Sequence, residues 1–323
     1  DRDRSPGSCR LMDPVVWFFV LGVVAGLARS DQRVPAAIYD LLSILLLLAI
    51  GLKGGVELAR QPISGLLPQI GAVLAMGFAL PLLLFPVARF LVGLGRADAA
   101  SLAAHYGSVS VATYAVGVAY LGARNIEFDA QLPLLLVLLE VPAIIVGILL
   151  ARGIDGATNW GKLLHEIFLG KSVVLLVGGL AIGWASGADG IGPLEPLFFD
   201  LFKGFLALFL LEMGLIAASQ SKSLRSRGLQ LILFGVLAPI PLAAIGAVIG
   251  VAIGLTIGGT TLLAILAGSA SYIAAPAAMR IAVPEANPAL SLTASLGVTF
   301  PFNIFVGIPL YFTLANWLHR GMG

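Results

Sequence analysis

Charge is what this sequence has least of. Its 323 residues include 19 Lys and Arg, 17 Asp and Glu and 3 His, so 11% are charged, where a soluble domain has about 25%. With 59% apolar residues and a mean hydropathy of +1.01, there are too few polar side chains to clothe a water-exposed surface of this size. That excludes a soluble enzyme, a nucleic-acid-binding module and a disordered scaffold. The excess apolar surface is expected to face lipid. A formal net charge of +2 points to no acidic partner and no nucleic acid. Cysteine is nearly absent too. Cys9 stands alone, which excludes an internal disulfide and a cysteine-based metal cluster. Histidine is limited to His105, His165 and His319, and the sequence has no H-E-x-x-H pattern and no paired intramembrane aspartates. An intramembrane hydrolase would need a nucleophile beside a base, or paired acids, so the chain is expected to be no enzyme and to carry no cofactor. Alternating apolar and polar residues are missing from the apolar runs, which excludes a β-barrel.

Continuous apolar runs are abundant. A helix needs about 20 apolar residues to cross a bilayer, and charges, Pro and Gly divide the chain into ten such segments. The first five are Pro14 to Ala28, Pro35 to Leu52, Leu66 to Leu94, Asp98 to Leu121 and Leu132 to Ala151. The second five are Lys171 to Ala185, Leu197 to Ala217, Leu229 to Leu255, Thr260 to Ala282 and Ala289 to Leu318. The sequence thus predicts an all-α polytopic membrane protein. Residues 1–11 differ in character from the rest of the chain and read as a tag remnant or disordered extension. Trp17 to Ala28 has the length of a signal-peptide core, but no A-x-A site succeeds it, so it reads as a retained first span. Residues 12–152 and 171–323 then hold five spans each. The linker between them, 153–170, carries Trp160, Leu163, Leu164, Ile167 and Phe168 at helical spacing, the pattern of a short interfacial helix on the cytoplasmic side. Loop charges set the orientation. With the N-terminus outward, Arg29, Arg89, Arg96, Arg152, Lys222 and Arg225 are among the basic residues facing the cytoplasm, against Lys53, Arg60, Arg124, Lys203 and Arg320 outside. Both termini are expected outside the cytoplasm, in a cell inner membrane.

Two motifs repeat at a fixed offset. Gly107-Ser108-Val109-Ser110 returns as Gly268-Ser269-Ala270-Ser271, 161 residues on (107 to 268), which lays the fourth and fifth spans over the ninth and tenth. Ile50-Gly51-Leu52 in the second span is echoed by Met213-Gly214-Leu215 in the seventh. Five is odd, so a second copy crosses the membrane in the opposite sense, the inverted-repeat plan of secondary transporters. Gly and Ser weaken a helix, and spans four and nine are expected to break at these motifs. A break inside a membrane is tolerated where protein or water satisfies the freed backbone groups. It offers N–H groups and a positive dipole end to a small anion, and hydroxyl and carbonyl oxygens to a hard cation such as sodium. Gly107, Ser108, Ser110, Gly268, Ser269 and Ser271 are therefore the candidate substrate-binding residues. The bland alternative is that small residues merely let helices pack closely.

Several single residues bear on the same site. Glu140 is an acid late in the fifth span, just before Pro142, and an intramembrane acid usually marks an ion path. Thr299 and Asn303 stand one turn apart and are both expected to reach the broken ninth span. With Ser110 and Thr113 these three make the candidate sodium set. Glu212, late in the seventh span, and Lys53 with Glu57, an i,i+4 pair, read as structural. Arg280 reads as an orientation anchor, and Pro276 and Pro301 as fixing helix breaks. His105 beside Tyr106 suggests a proton relay, but a lone histidine near a helix end is more often simply hydrogen-bonded. Rival readings are sodium/proton exchange through Glu140 and sodium-coupled import of a small carboxylate.

Motifs from the second span to the tenth resemble the sodium-dependent bicarbonate transporter family (SbtA type). They are Ile50-Gly51-Leu52-Lys53-Gly54-Gly55, Tyr106-Gly107-Ser108-Val109-Ser110 with Thr113, and Glu140 ahead of Val141-Pro142-Ala143. Pro276 with Arg280, Pro284-Glu285-Ala286-Asn287-Pro288, and Pro301 with Pro309 complete the set. The resemblance implies a ten-span inverted repeat assembled as a homotrimer. Spans one, two, six and seven would form a scaffold, and the others a core that carries substrate in an elevator-like movement. It further implies import of bicarbonate coupled to sodium, and a PII-like regulator binding from the cytoplasm. The chain departs from the cyanobacterial pattern at Tyr272, where that pattern is acidic, at Ala274, where it has serine, and at Asn303. Its central loop is also shorter.

Overall fold

In lipid every backbone group must find its partner within the segment, and the apolar runs do so as helices. A computed structural model describes residues 14–30, 35–60, 63–153 and 160–322, and no strand occurs among them. The first half contains α1 (Pro14–Leu27), α2 (Ala36–Leu58), α3 (Leu67–Pro86, extended by a π turn over Val87–Leu91), α4 (Arg96–Gly107), α5 (Val111–Gly122) and α6 (Leu132–Arg152). A short helix, α7 (Trp160–Phe168), comes next. The second half contains α8 (Lys171–Ile191), α9 (Phe202–Ser219), α10 (Ser221–Leu237), α11 (Pro239–Ala252), α12 (Ile257–Ala267) and α13 (Ala274–Ala282). It closes with α14 (Pro288–Leu292), α15 (Phe300–Phe302) and α16 (Ile308–Met322), linked by π turns over Thr293–Thr299 and Asn303–Gly307. The expectations for residues 1–11 and for 154–159 of the linker lie outside the described residues.

Among the described residues, seven helical stretches are long and apolar enough to cross a membrane. The other three expected spans take a different form. The first is the 14-residue α1, and the fourth and ninth are pairs of shorter helices, α4 with α5 and α12 with α13. The sixth expected span stops at Ala185, and the continuous helical geometry fails two residues later. Gly187 has φ +61°, a left-handed value that glycine adopts without steric cost.

The helices pack in two groups. In one, α1 lies along α9, α2 along α8, and α2 also touches α9. Glycine permits both close crossings. A Cβ on Gly214 would lie 2.9 Å from the Gly22 Cα, and one on Gly179 would lie 3.1 Å from the Gly51 Cα. Backbone thus meets backbone at matching places, the small-residue packing typical of membrane helices. In the other group α4 packs on α3 and α6, while α12 packs on α11 and α16.

Two further ties join the halves of this second group. The Asn287 N–H donates to Asp98 Oδ1 (2.7 Å) at the head of α4. Asp129 Oδ2 accepts from the Thr256 N–H (3.0 Å) and hydroxyl (2.6 Å) at the head of α12. Each acid binds the loop leading into one half to the helix entry of the other. At the surface, Glu57 pairs with Arg60 (3.3 Å), and no pair with Lys53 forms among the described residues.

Candidate functional site

The two Gly-Ser motifs meet. Helix α4 ends at Gly107, Ser108 is extended (φ −87°, ψ −178°), and α5 starts at Val111. Helix α12 ends at Ala267, and α13 begins only at Ala274. Between these ends the Ser110 N–H donates to Ser269 Oγ (2.9 Å), whose own hydroxyl donates to the Leu266 carbonyl (2.9 Å). The Ser271 N–H donates to the His105 carbonyl (2.7 Å). Each interruption therefore donates a main-chain hydrogen bond to the other. All four motif serines are buried, so these bonds are shielded from water and costly to lose.

The second serine of each motif takes an N–H from the head of the helix after it, Ser110 as the N-cap of α5 and Ser271 from two positions before the N-cap Ile273 of α13. Ser110 Oγ accepts from the Thr113 N–H (3.2 Å) and hydroxyl (2.9 Å), and Ser271 Oγ accepts from the Ala275 N–H (3.2 Å). A helix head has four N–H groups without an intrahelical partner. At α5 the cap serves Thr113, the Ser110 N–H is taken by Ser269, and those of Val111 and Ala112 have no partner among the described residues. The motif glycines let neighbours approach: a Cβ on Gly107 would lie 2.7 Å from Pro81 Cδ, and one on Gly268 2.9 Å from the Pro239 carbonyl.

Glu140 lies in the middle of α6, not near its end, since α6 runs from Leu132 to Arg152. Its side chain is 2% exposed, its Oε2 has no partner, and its carbonyl receives the Ser108 hydroxyl (3.4 Å). Pro142 removes the hydrogen bond that would hold the Leu138 carbonyl, which leaves a further oxygen on the same helix. Glu212, by contrast, sits on α9 in the first helical group, again with an Oε2 lacking a partner.

Thr299 and Asn303 do not act together. Asn303 Nδ2 reaches the ninth segment, donating to the Gly268 carbonyl (2.8 Å), and its Oδ1 accepts from the Tyr311 hydroxyl (2.8 Å). Thr299 instead donates to the Gly235 carbonyl (2.7 Å) and accepts from the Tyr106 hydroxyl (2.6 Å), which ties it to α10 and α4. The three residues between Thr299 and Asn303 are the α-helical α15, so the two side chains part through their different partners and not through the turn that joins them. Tyr311 escaped the sequence reading. The signal for it was a tyrosine eight residues after a buried amide on a lipid-exposed helix, with Gly307 between them opening the space. Tyr272 stands next to Ser271 with its ring edge-on to Phe300 (5.6 Å) and its hydroxyl turned toward Ser110 without a formed bond.

The arrangement gathers main-chain donors and serine and threonine hydroxyls around a single crossing, with α6 joined to it through the Glu140 main-chain carbonyl. That set can hold a small anion and a hard cation; among the described residues it holds no group of three or more His, Cys, Asp or Glu suited to a transition metal. Compared with curated proteins, the sequence matches none. The model of the Na+-dependent bicarbonate transporter superfamily matches residues 14–316, nearly the whole chain and both helical groups, and the protein therefore belongs to that superfamily.

Proposed function

We propose that the protein imports bicarbonate together with sodium, and that the crossing of the two Gly-Ser segments is where both are held. The observation that carries this reading is the reciprocal pair of bonds, Ser110 N–H to Ser269 and Ser271 N–H to His105, in a chain of this superfamily. The anion lies among Gly107, Ser108, Ser110, Gly268, Ser269 and Ser271, facing the N–H groups at the helix heads, where partial positive charge favours it. Sodium takes oxygen ligands from Ser110, Thr113 and Glu140. The carboxylate supplies the charge that makes binding in a low-dielectric site favourable. Thr299 and Asn303, whose oxygens are engaged within the protein, set the position of the crossing from behind.

On this reading the chain crosses a cell membrane ten times in two inverted halves, with α4–α5 and α12–α13 as broken fourth and ninth spans. Both termini lie outside. The group α1, α2, α8 and α9 is a fixed frame, and the remainder is a core that shifts against it, an elevator-like movement. Assembly as a homotrimer and control by a PII-like cytoplasmic partner belong to the same proposal. Purified protein in liposomes is expected to take up labelled bicarbonate down a sodium gradient. Equal uptake with potassium in place of sodium refutes the coupling.

Sodium/proton exchange through Glu140 is the second reading, favoured by its buried, unpartnered oxygen. A sodium gradient that leaves the internal pH of the liposomes unchanged counts against it.

A further inference from the structure

His105 sits in the last turn of α4 and is 1% exposed. Its Nδ1 lies 2.7 Å from the Ser101 carbonyl oxygen. A carbonyl can only accept, so Nδ1 carries the hydrogen, and in a neutral ring Nε2 is left with a bare lone pair. That Nε2 is buried and has no partner. Among the described residues no ion pair to the ring occurs. The imidazole is thus a neutral hydrogen-bond acceptor with its acceptor atom unused. It belongs to a residue two positions before the end of α4 whose main-chain carbonyl receives the Ser271 N–H, so His105 takes part in the crossing through its backbone.

Packing does not ask for an imidazole here. At the 161-residue offset, Ser101 corresponds to Leu262 and His105 to Leu266 (101 to 262, 105 to 266), and both leucines are fully buried. One half fills this place with an alkyl chain. The other places an acceptor there, and the main-chain carbonyl one turn back, at Ser101, fixes which nitrogen accepts.

The other groups at the crossing are largely donors: the N–H groups at the head of α5 and the serine hydroxyls. Donors suit the oxygens of any small oxyanion. Bicarbonate differs from nitrate, its planar counterpart, in carrying one hydroxyl hydrogen that needs an acceptor. We infer that His105 Nε2 accepts the hydrogen bond from the hydroxyl of the bound anion, and so selects an oxyanion that bears a proton. This rests on the proposed function. It adds to it the residue that distinguishes bicarbonate from anions of similar shape. A site built to pair with a substrate hydroxyl discriminates strongly against an analogue without one, because its own polar group is then left unpaired.

The test compares the wild-type protein with His105→Leu and His105→Gln in liposomes under a sodium gradient, after each is checked for a single monodisperse species and an unchanged melting profile. Leucine removes the acceptor and copies Leu266; glutamine offers an amide oxygen near the place of Nε2. His105→Leu is expected to raise the KM for bicarbonate about tenfold, equal to about 1.4 kcal/mol, while the KM for sodium stays within about twofold. Nitrate, a poor competitor of the wild type, should compete comparatively better in His105→Leu, and His105→Gln should recover most of the bicarbonate affinity. Sodium-dependent uptake with a wild-type KM in His105→Leu overturns this inference and leaves the proposed function standing. Equal loss for bicarbonate and sodium, or no gain for nitrate, also overturns it, since it assigns His105 to packing. Absence of sodium-dependent uptake in the wild type overturns the proposed function and this inference with it.

Discussion

Replacing Asn303 with alanine removes one side chain but strands two others. The Asn303 amide lies between the Gly268 carbonyl and the Tyr311 hydroxyl, both at 2.8 Å, and Asn303 is 0% exposed and Tyr311 1% exposed. After the substitution the carbonyl and the phenol hydrogen have no water to turn to. Each buried group left unpaired costs about 1–3 kcal/mol. Measured hydrogen bonds inside membranes are worth about 0.6–2 kcal/mol, so about 1–4 kcal/mol is expected for the pair. Tyr311→Phe removes only one bond and should cost about 1 kcal/mol. Because the Gly268 carbonyl opens the second Gly-Ser motif, the loss also loosens the crossing. Thermal unfolding in detergent, tracked by loss of the monodisperse peak, ranks the three proteins. The expected order is wild type, then Tyr311→Phe, then Asn303→Ala, with bicarbonate KM rising in the same order. If Asn303→Ala melts with the wild type, the amide does not hold the crossing. If it melts normally but only sodium affinity falls, Asn303 is a direct cation ligand and its assignment as a positioning residue is wrong.

Ser110→Ala removes the cap of α5 and Ser271→Ala the bond to the Ala275 N–H, each worth about 1 kcal/mol, and both should raise the apparent KM for bicarbonate in folded protein; wild-type kinetics in both would assign these serines to packing. Glu140→Gln keeps the shape of the side chain and removes its charge, so the KM for sodium should rise at least about tenfold, while sodium-dependent uptake that is unaltered would exclude Glu140 as a ligand. Gly214→Leu drives a side chain into the Gly22 backbone. Overpacking of this kind costs about 1–3 kcal/mol or more, and a sharply lower yield of monodisperse protein is the outcome to look for. Glu285→Ala breaks the exposed pair with Arg152 (3.7 Å) and should change stability by less than about 1 kcal/mol; a larger drop would show that this contact does more than its exposure allows.

The helices were legible because hydropathy reports what lipid demands of a backbone, and α4 and α12 end at or beside the Gly-Ser segments. Serine spacing also located the crossing, since a serine's bond to a nearby N–H is a local act between Ser110 and Thr113 or Ser271 and Ala275. The features that escaped were set by neighbours distant in sequence. Gly51 and Gly214 stood out as an echo, but their partners Gly179 and Gly22 emerge only from how the helices dock. Thr299 and Asn303 were placed together by spacing, but their partners, Gly235 with Tyr106 and Gly268 with Tyr311, come from distant segments. Lys53 and Glu57 had the spacing of an ion pair, but Glu57 pairs with Arg60. Asp98 and Asp129 carry no motif at all, and only the folded chain brings them to the helix heads of the opposite half.

The two glycine crossings have a consequence for how the chain is made. Gly22 finds its counterpart in Gly214, and Gly51 in Gly179, so the first two helices leave the ribosome long before anything exists for them to close against. Until α8 and α9 are inserted, two bare backbone grooves must wait in the bilayer, covered only by acyl chains. A nascent chain arrested before α8 would therefore carry these grooves open, and quality-control proteases that recognise unassembled membrane helices would have their best opportunity in that interval.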